Sequence, residues 1–319
     1  MLVEQDNTQN SKTVTLSLLD EIRAGLSKTP KQINPKFFYD ERGSRLFDQI
    51  TQLPEYYPTR TELSLLERYA TDIAEITGQG AVLLEPGAGS CEKVRYLLPE
   101  MLPACYVPID ISGDYLFAAA KSLQQDFTDI TVFPVADDMK SDIQIPTEFE
   151  GLRKLVFYPG STIGNYTPEQ AVGFLHHVHS LVGVSGGLLI GVDLEKDKDI
   201  LDRAYNDDAG ITAAFNLNCL SHINTLTGSN FEIDKFRHVA FYNAQESRIE
   251  MHLESACDQS VNLVGEVISF KDSERILTEY SYKYSIPRFT ELAASAGLEA
   301  RAQWVDDDSL FSLQYFTAR

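Results

Sequence analysis

The sequence predicts an α/β fold built on a doubly wound, mostly parallel sheet, with a second, discontinuous α+β domain. Three observations predict it. Between Ala81 and Asp193 short apolar runs alternate with helical patterns, the order of βαβ units with right-handed crossovers. The stretch Leu83-Leu84-Glu85-Pro86-Gly87-Ala88-Gly89-Ser90-Cys91-Glu92-Lys93 leads the first run through a glycine turn toward a helix. After Glu195 the alternation stops, and strand patterns separated by turn residues replace it.

Composition bounds what such a chain does. Its 319 residues suit two domains of roughly 100–200 each. With 47 acidic and 27 basic side chains the formal net charge is −20, a field that repels nucleic acid and anionic membrane and tolerates a cationic cofactor. Cys91, Cys105, Cys219 and Cys257 are scattered, without a C-x-x-C, and read as reduced thiols of a cytoplasmic protein. The first residues, MLVEQDNTQNSK, lack the basic and apolar regions of a signal peptide, and no apolar run approaches the ~20 residues of a membrane span.

Taken in order, a first helix begins near Thr13, with Leu16, Leu19, Ile22 and Leu26 on one face, and ends between Gly25 and Pro30. An aromatic-rich window from Lys36 to Glu62 reads as short helices, and Pro58 opens a long one whose face carries Leu63, Leu66, Tyr69, Ile73 and Ile76. Strands are predicted at Ala81–Glu85, Cys105–Asp110, Thr131–Val135, Lys154–Tyr158 and Gly187–Asp193. A helix is expected to start at Glu92 with Val94, Leu97 and Leu98 inward, and another spans Pro168–Val182. Ile200–Tyr205 and Thr212–Thr225 follow as helices, then strands at Phe236–Tyr242, Arg248–Ala256, Val261–Phe270 and Arg275–Tyr284. The helix Pro287–Ala296, capped by Gly297, and a hairpin of Glu299–Val305 with Leu310–Ala318 complete the sheet.

The glycine turn indicates the ligand class by what it lacks. Glu92 stands where a dinucleotide fingerprint has its third glycine, and no Gly-Lys-Ser/Thr follows for a P-loop. A Glu-x-Gly-x-Gly turn with its own acidic residue suits a cationic cofactor without phosphate, and S-adenosylmethionine is the candidate. The same spacing also serves a plain tight turn. Asp110, about 20 residues beyond Gly89, stands where such folds place the carboxylate that accepts from ribose hydroxyls. Asp138, after the third strand, is placed to receive an adenine amino group, and with Glu85 makes three polar strand ends on one edge. His176, His177 and His179 do not share one helix face and lack a ligand pattern, so no metal is expected; His222, His238 and His252 read as isolated.

Longer motifs carry a family likeness. Phe38-Tyr39-Asp40-x-x-Gly43-Ser44-x-Leu46-Phe47-Asp48-Gln49-Ile50 and Leu53-Pro54-Glu55-Tyr56-Tyr57-Pro58-Thr59-Arg60-Thr61-Glu62 closely resemble the histidine-specific Nα-methyltransferases of ergothioneine biosynthesis. So do Gly160-Ser161-Thr162-Ile163-Gly164-Asn165, Arg203-Ala204-Tyr205, Gly210-x-Thr212-Ala213-Ala214-Phe215-Asn216, Arg248-Ile249-Glu250-Met251 and Leu277-Thr278-Glu279-x-Ser281.

The resemblance implies a class I methyltransferase with a seven-stranded Rossmann-like sheet over 61–195 and 284–319, and a substrate-binding domain from 1–60 and the insertion 196–283. It implies S-adenosylmethionine-dependent trimethylation of the L-histidine α-amino group to hercynine. The cofactor falls to Tyr39, Gly87, Lys93, Asp110 and Asp138, and histidine to Tyr56, Asn165, Tyr205, Glu279 and Ser281, with Phe47 and Met251 lining the pocket. Pro86, Ala88, Cys91 and Met139 depart from the family pattern.

These residue types suit the chemistry. Methyl transfer is an in-line displacement that needs orientation and desolvation rather than a nucleophilic side chain. Tyr39 is the catalytic candidate, able to hold or steer the amine proton. Aromatic faces attract a nitrogen that becomes quaternary. Asn165 and Tyr205 suit a carboxylate, while Glu279 accepts from an imidazole N–H and Ser281 satisfies the other ring nitrogen. The expected partner is histidine, with neither nucleic acid nor membrane, and the chain is expected to act as a monomer. Two alternatives stay open: the same fold acting on another amino acid or amine, and a non-catalytic cofactor-binding module.

Overall fold

The computed structural model describes residues 18–137, 143 and 145–319. They form two compact units. The first comprises the chain up to Tyr56, Lys198–Ala244 and Ile249–Tyr280; the second comprises Tyr57–Asp197, Gln245–Arg248 and Ser281–Arg319. These bounds differ from the expected ones: Tyr57–Arg60, Lys196–Asp197 and Ser281–Lys283 go with the sheet unit, as does the turn Gln245–Arg248.

The second unit holds eight strands: β1 (Val82–Pro86), β2 (Cys105–Asp110), β3 (Thr131–Val132), β4 (Val135–Ala136), β5 (Lys154–Tyr158), β6 (Gly187–Asp193), β7 (Leu298–Val305) and β8 (Phe311–Ala318). Their order is β7-β8-β6-β5-β1-β2-β3, with β4 also on β2. β1 through β6 pair in parallel, and the β7/β8 hairpin adds antiparallel to β6. The third strand expected at Thr131–Val135 is thus two short pieces occupying the seventh position. Pro134 between them has no N–H to give to the ladder, so pairing lapses and resumes.

β1 and β6 are buried along their whole length, as apolar runs covered by helices on both faces must be. The helix Tyr57–Thr77 packs Leu65, Leu66 and Ile73 into a core with Leu83, Tyr106, Leu155, Phe157 and Leu189. Thr167 and Gln170 form a reciprocal capping box at the start of the helix Pro168–Val182. The single helix expected from Glu92 is instead a 3-10 turn, Lys93–Tyr96, and one α-turn, Leu98–Met101. Pro99 lies in the first turn of the second piece, where a missing N–H costs nothing, and would have broken a continuous helix. Strand order reverses between β1 and β5, so the carboxyl ends on either side open a crevice there.

In the first unit four strands lie in the order Lys31–Gln32, Arg275–Tyr282, Arg248–Ser255, Phe236–Asn243. The parallel edge piece Lys31–Gln32 was not legible as a strand, being only two residues long. Val261–Phe270, expected as one strand, is a hairpin of Gln259–Leu263 with Glu266–Phe270. Val264 and Gly265 turn it with φ of 49° and 88°, the handedness that matches strand twist. Helices 18–26, Glu41–Ile50, Lys198–Ala204 and Ile211–Thr227 complete the unit; the expected start near Thr13 lies outside the described residues.

The motif Asp40-x-x-Gly43 has a steric cause. Asp40 Oδ1 caps the helix Glu41–Ile50 by accepting the Gly43 N–H at 2.7 Å and also accepts from Asn218 Nδ2 at 2.7 Å. A Cβ on Gly43 would stand 1.7 Å from the Phe38 carbonyl oxygen.

Candidate active site

At the carboxyl end of β1 the chain turns through Gly87 and Gly89, with φ of 68° and 51°. Nothing lies within 4 Å of where a Cβ would stand on either, so the turn is an open cradle. Asp110, at the end of β2, accepts the Gly89 N–H at 3.0 Å and the Ser112 N–H at 2.9 Å on separate oxygens. Each carboxylate oxygen retains a lone pair, so the cradle is braced and the acid can still accept from a ribose hydroxyl. Ile111, the next residue, is apolar and exposed.

Lys93 lies beyond the turn. Its Nζ pairs with Glu62 at 2.7 Å, and Glu62 is completely buried. Both oxygens of Glu62 accept the N–H of Gly160, which follows β5 with φ +81°. A Cβ on Gly160 would stand 3.1 Å from Lys93 Nζ. Asp138 and Met139 lie outside the described residues.

Glu85 departs from its sequence reading. It is buried beneath the turn and accepts the Tyr106 O–H at 2.6 Å, and burial pushes its carboxyl up to about 8. A neutral acid there stiffens the sheet edge instead of presenting charge to a cofactor. Cys91 adopts φ 56° and is fully buried, and burial pushes its thiol up to about 12, so it closes the turn as a small neutral residue. Ala88 is also buried, which leaves the backbone to face the ligand.

The first unit gathers aromatic rings. Tyr205 meets Tyr56 at 6.3 Å between centroids, Tyr56 meets Phe47 at 6.4 Å, and Phe47 meets Tyr39 at 5.9 Å, each edge to face. Phe215 packs against both Tyr39 and Phe47. Behind them lies a buried polar network. His238 Nε2 donates to the Tyr205 carbonyl at 2.9 Å, so its Nδ1 is the acceptor for Asn216 Nδ2 at 2.9 Å. Asn216 donates to the His252 carbonyl at 3.0 Å as well, while its oxygen accepts from the Thr278 hydroxyl, which also reaches the Met251 carbonyl at 3.0 Å. Burial holds His238 below the usual imidazole range, against the Tyr205 carbonyl and Asp207, which favour the cation.

The network therefore pins the backbones of Tyr205 and Met251 and the residue before Glu279. His222 and His252, read as isolated from any set of metal ligands, each have a polar partner as His238 does. His222 bonds the Phe37 carbonyl at 2.8 Å, and His252 approaches Glu250 at 3.2 Å and stacks on Phe241.

In the second unit the turn that ends at Asn165 packs, through Gly164, against the chain at Ser281–Tyr282. Asn165 ends the 3-10 turn Thr162–Asn165, and a Cβ on Gly164 would lie 2.8 Å from the Tyr282 carbonyl oxygen and 3.5 Å from Ser281 Oγ. Ser281 Oγ accepts from Lys283 Nζ at 2.8 Å, and Lys283 pairs with Asp193 at 2.7 Å. Asp193 also accepts from Lys196 and from Tyr57 Oη at 2.8 Å. Burial pushes the Asp193 carboxyl up, but Lys283 and Lys196 outweigh it and hold it below the usual range. Burial brings Lys196 down to about 8.

Across residues 18–318 the chain matches the family described as histidine-specific methyltransferase, SAM-dependent. The chain belongs to that family. This methyltransferase is 38% identical over 305 residues to histidine N-alpha-methyltransferase of Mycobacterium tuberculosis, covering 93% of this chain and 94% of the relative. Identity to the enzyme of the same name from Mycolicibacterium smegmatis is 39% over 304 residues, covering 93% and 94%. Ergothioneine biosynthesis protein 1 of Neurospora crassa is 31% identical over 283 residues, 86% of this chain and 32% of that longer protein.

The methyltransferase thus carries its predicted residues in two sets. Gly87, Lys93, Asp110, Asn165 and Ser281 lie in the sheet unit; Tyr39, Phe47, Tyr56, Tyr205, Met251 and Glu279 lie in the other. Sequence reasoning missed Glu62, Asn216 and the Asp193–Lys283 pair as supporting residues. Glu62 and Asn216 end motifs that were visible, yet a buried role leaves no signal in residue type alone. No group of His, Cys, Asp and Glu able to hold a metal occurs among the described residues, and no described helix is long and apolar enough to cross a membrane.

Proposed function

We propose that this S-adenosylmethionine-dependent methyltransferase trimethylates the α-amino nitrogen of L-histidine to hercynine, the first step of ergothioneine biosynthesis. The family match over residues 18–318 carries the reading, since it takes in both units rather than the cofactor fold alone. The substrate named for the mycobacterial relatives supports it.

S-adenosylmethionine, when bound, supplies a methyl group on a sulfonium. The residues present fit it: an open glycine cradle without a phosphate site, Asp110 for ribose hydroxyls, and Lys93 for a carboxylate. For histidine, Asn165 and Tyr205 donate to the carboxylate, and Glu279 and Ser281 take the two ring nitrogens. The rings of Tyr39, Phe47, Tyr56 and Tyr205 exclude water and present faces to a nitrogen that becomes a quaternary ammonium, about 0.5–2 kcal/mol each. The Tyr39 hydroxyl holds the amine proton before each of the first two repeats. In this reading 1–56 and most of 198–280 form the substrate-binding part. Free thiols and cytoplasmic metabolites as reactants go with a cytoplasmic enzyme, and the site as read needs only one chain.

Mass spectrometry of histidine incubated with the protein and S-adenosylmethionine tests this. A product gaining three methyls on the α-nitrogen, without added metal, is expected. Ring methylation, or turnover only of tryptophan or tyrosine, would overturn the substrate assignment.

A further inference from the structure

We infer that Asn218 is a positioning residue for the substrate site: through Asp40 it sets how the helix Glu41–Ile50 lies against the helix Ile211–Thr227, and so where the Phe47 ring stands. The inference rests on the proposed reading of Phe47 as a wall of the histidine pocket. All of these residues belong to the first unit.

Phe215, Asn218 and His222 stand at i, i+3 and i+7 on the helix Ile211–Thr227, so they share one face. That face holds the chain between Phe37 and Phe47 at successive points. His222 Nδ1 donates to the Phe37 carbonyl at 2.8 Å, and Asn218 Nδ2 donates to Asp40 Oδ1 at 2.7 Å. The Phe215 ring packs on Phe38, Tyr39 and Phe47 at 4.6, 5.7 and 5.9 Å between centroids. Ring contacts tolerate sliding and rolling, whereas a hydrogen bond fixes both distance and direction. Asp40 Oδ1 also accepts the Gly43 N–H as the N-cap, so the oxygen that starts the helix Glu41–Ile50 is the one Asn218 holds. Phe47 lies about two turns further along that helix. Held at its first turn by Asn218 and at Phe47 by Phe215, the helix cannot roll without breaking the hydrogen bond.

For stability alone an amide is a poor choice at this place. Asn218 is 2% exposed, and its Nδ2 must face the Asp40 carboxylate, which only accepts. Its Oδ1 is buried without a hydrogen-bond partner among the described residues. A buried acceptor left unpaired costs stability. A leucine of similar shape would avoid that cost, and Asp40, part-buried and still capping through Gly43, would turn its freed lone pair to water. Stability therefore does not account for Asn218, whereas the register of the helix that carries Phe47 does.

Asn218→Leu tests this, with Asp40→Ser beside it, because serine's shorter side chain caps a helix without reaching Asn218. Both variants should melt close to the wild type, while KM for histidine rises about tenfold. Once Phe47→Ala has removed the ring, Asn218→Leu should raise KM little further, since nothing is left for it to place. A lower melting temperature and kcat with KM for histidine unchanged would show a merely structural asparagine and overturn the inference. Additive losses in the double variant would overturn it as well. If Phe47→Ala alone leaves KM for histidine unchanged, the reading of the pocket itself fails, and the inference with it.

Discussion

Glu62 accepts the Gly160 N–H with both carboxylate oxygens at 2.9 Å, and its Oε2 also holds the Lys93 ammonium at 2.7 Å. One buried acid from the helix Tyr57–Thr77 thus ties the loop after β5 to the residue after the glycine turn. Glu62→Ala leaves a part-buried N–H without its acceptor and Lys93 without its partner, a loss of about 3 kcal/mol. Denaturant unfolding should show that loss, and calorimetry should show weaker S-adenosylmethionine binding. Unchanged cofactor binding in a folded variant would remove Lys93 from the cofactor site.

Gly164 is a second point of close approach. An alanine there would put its Cβ 2.8 Å from the Tyr282 carbonyl oxygen and 3.2 Å from the Tyr282 nitrogen, both backbone atoms that cannot swing aside. Gly164→Ala should lower stability by about 1–3 kcal/mol. Because Asn165 and Ser281 flank the contact, KM for histidine should rise more than KM for S-adenosylmethionine. Steady-state kinetics with each reactant varied will read the difference.

Glu85 gives the fold a pH dependence of defined sign. Its carboxyl is raised from 4.5 to about 8 by burial, so between those values the folded protein retains a proton that the unfolded chain has released. Its contribution is fully present below 4.5, declines as pH rises by at most about 1.4 kcal/mol per unit, and is lost above about 8. Glu85→Gln keeps the shape and cannot ionise. Wild type and variant compared by urea unfolding from pH 5 to 9 should diverge, with the variant gaining relative stability toward alkaline pH.

Glu279 bears on substrate choice. If it accepts the imidazole N–H, Glu279→Ala leaves that donor unpaired in a half-buried site, roughly 1–3 kcal/mol or ten- to a hundredfold in histidine affinity. Titration calorimetry should show this with cofactor affinity unaltered. Lost cofactor affinity with histidine binding intact would place the strand at the wrong ligand.

The sequence by itself determined the sheet and its ligand edge. Apolar runs such as Val82–Leu84 and Leu188–Ile190 have no other stable use than a strand covered on both faces, and Gly87 and Gly89 mark the turn because few residues adopt their φ. Long motifs likewise revealed the family. Local chemistry the reading overlooked accounts for some of the differences: Pro134 splits a strand, Pro99 ends a helix, and Val264-Gly265 folds one run into a hairpin.

Only the tertiary structure decided which polar residues work from inside. Glu85 reads as an acid at a strand end, yet burial makes it neutral; Asn216, His238 and Thr278 look unremarkable until packing brings residues 62 positions apart within hydrogen-bonding distance. Lys283 sits only two residues beyond Ser281, but its ion-pair partner, Asp193, is contributed by β6 from far along the chain. A residue's type is local, whereas its desolvation and its partners are set by segments that meet only when the chain has folded.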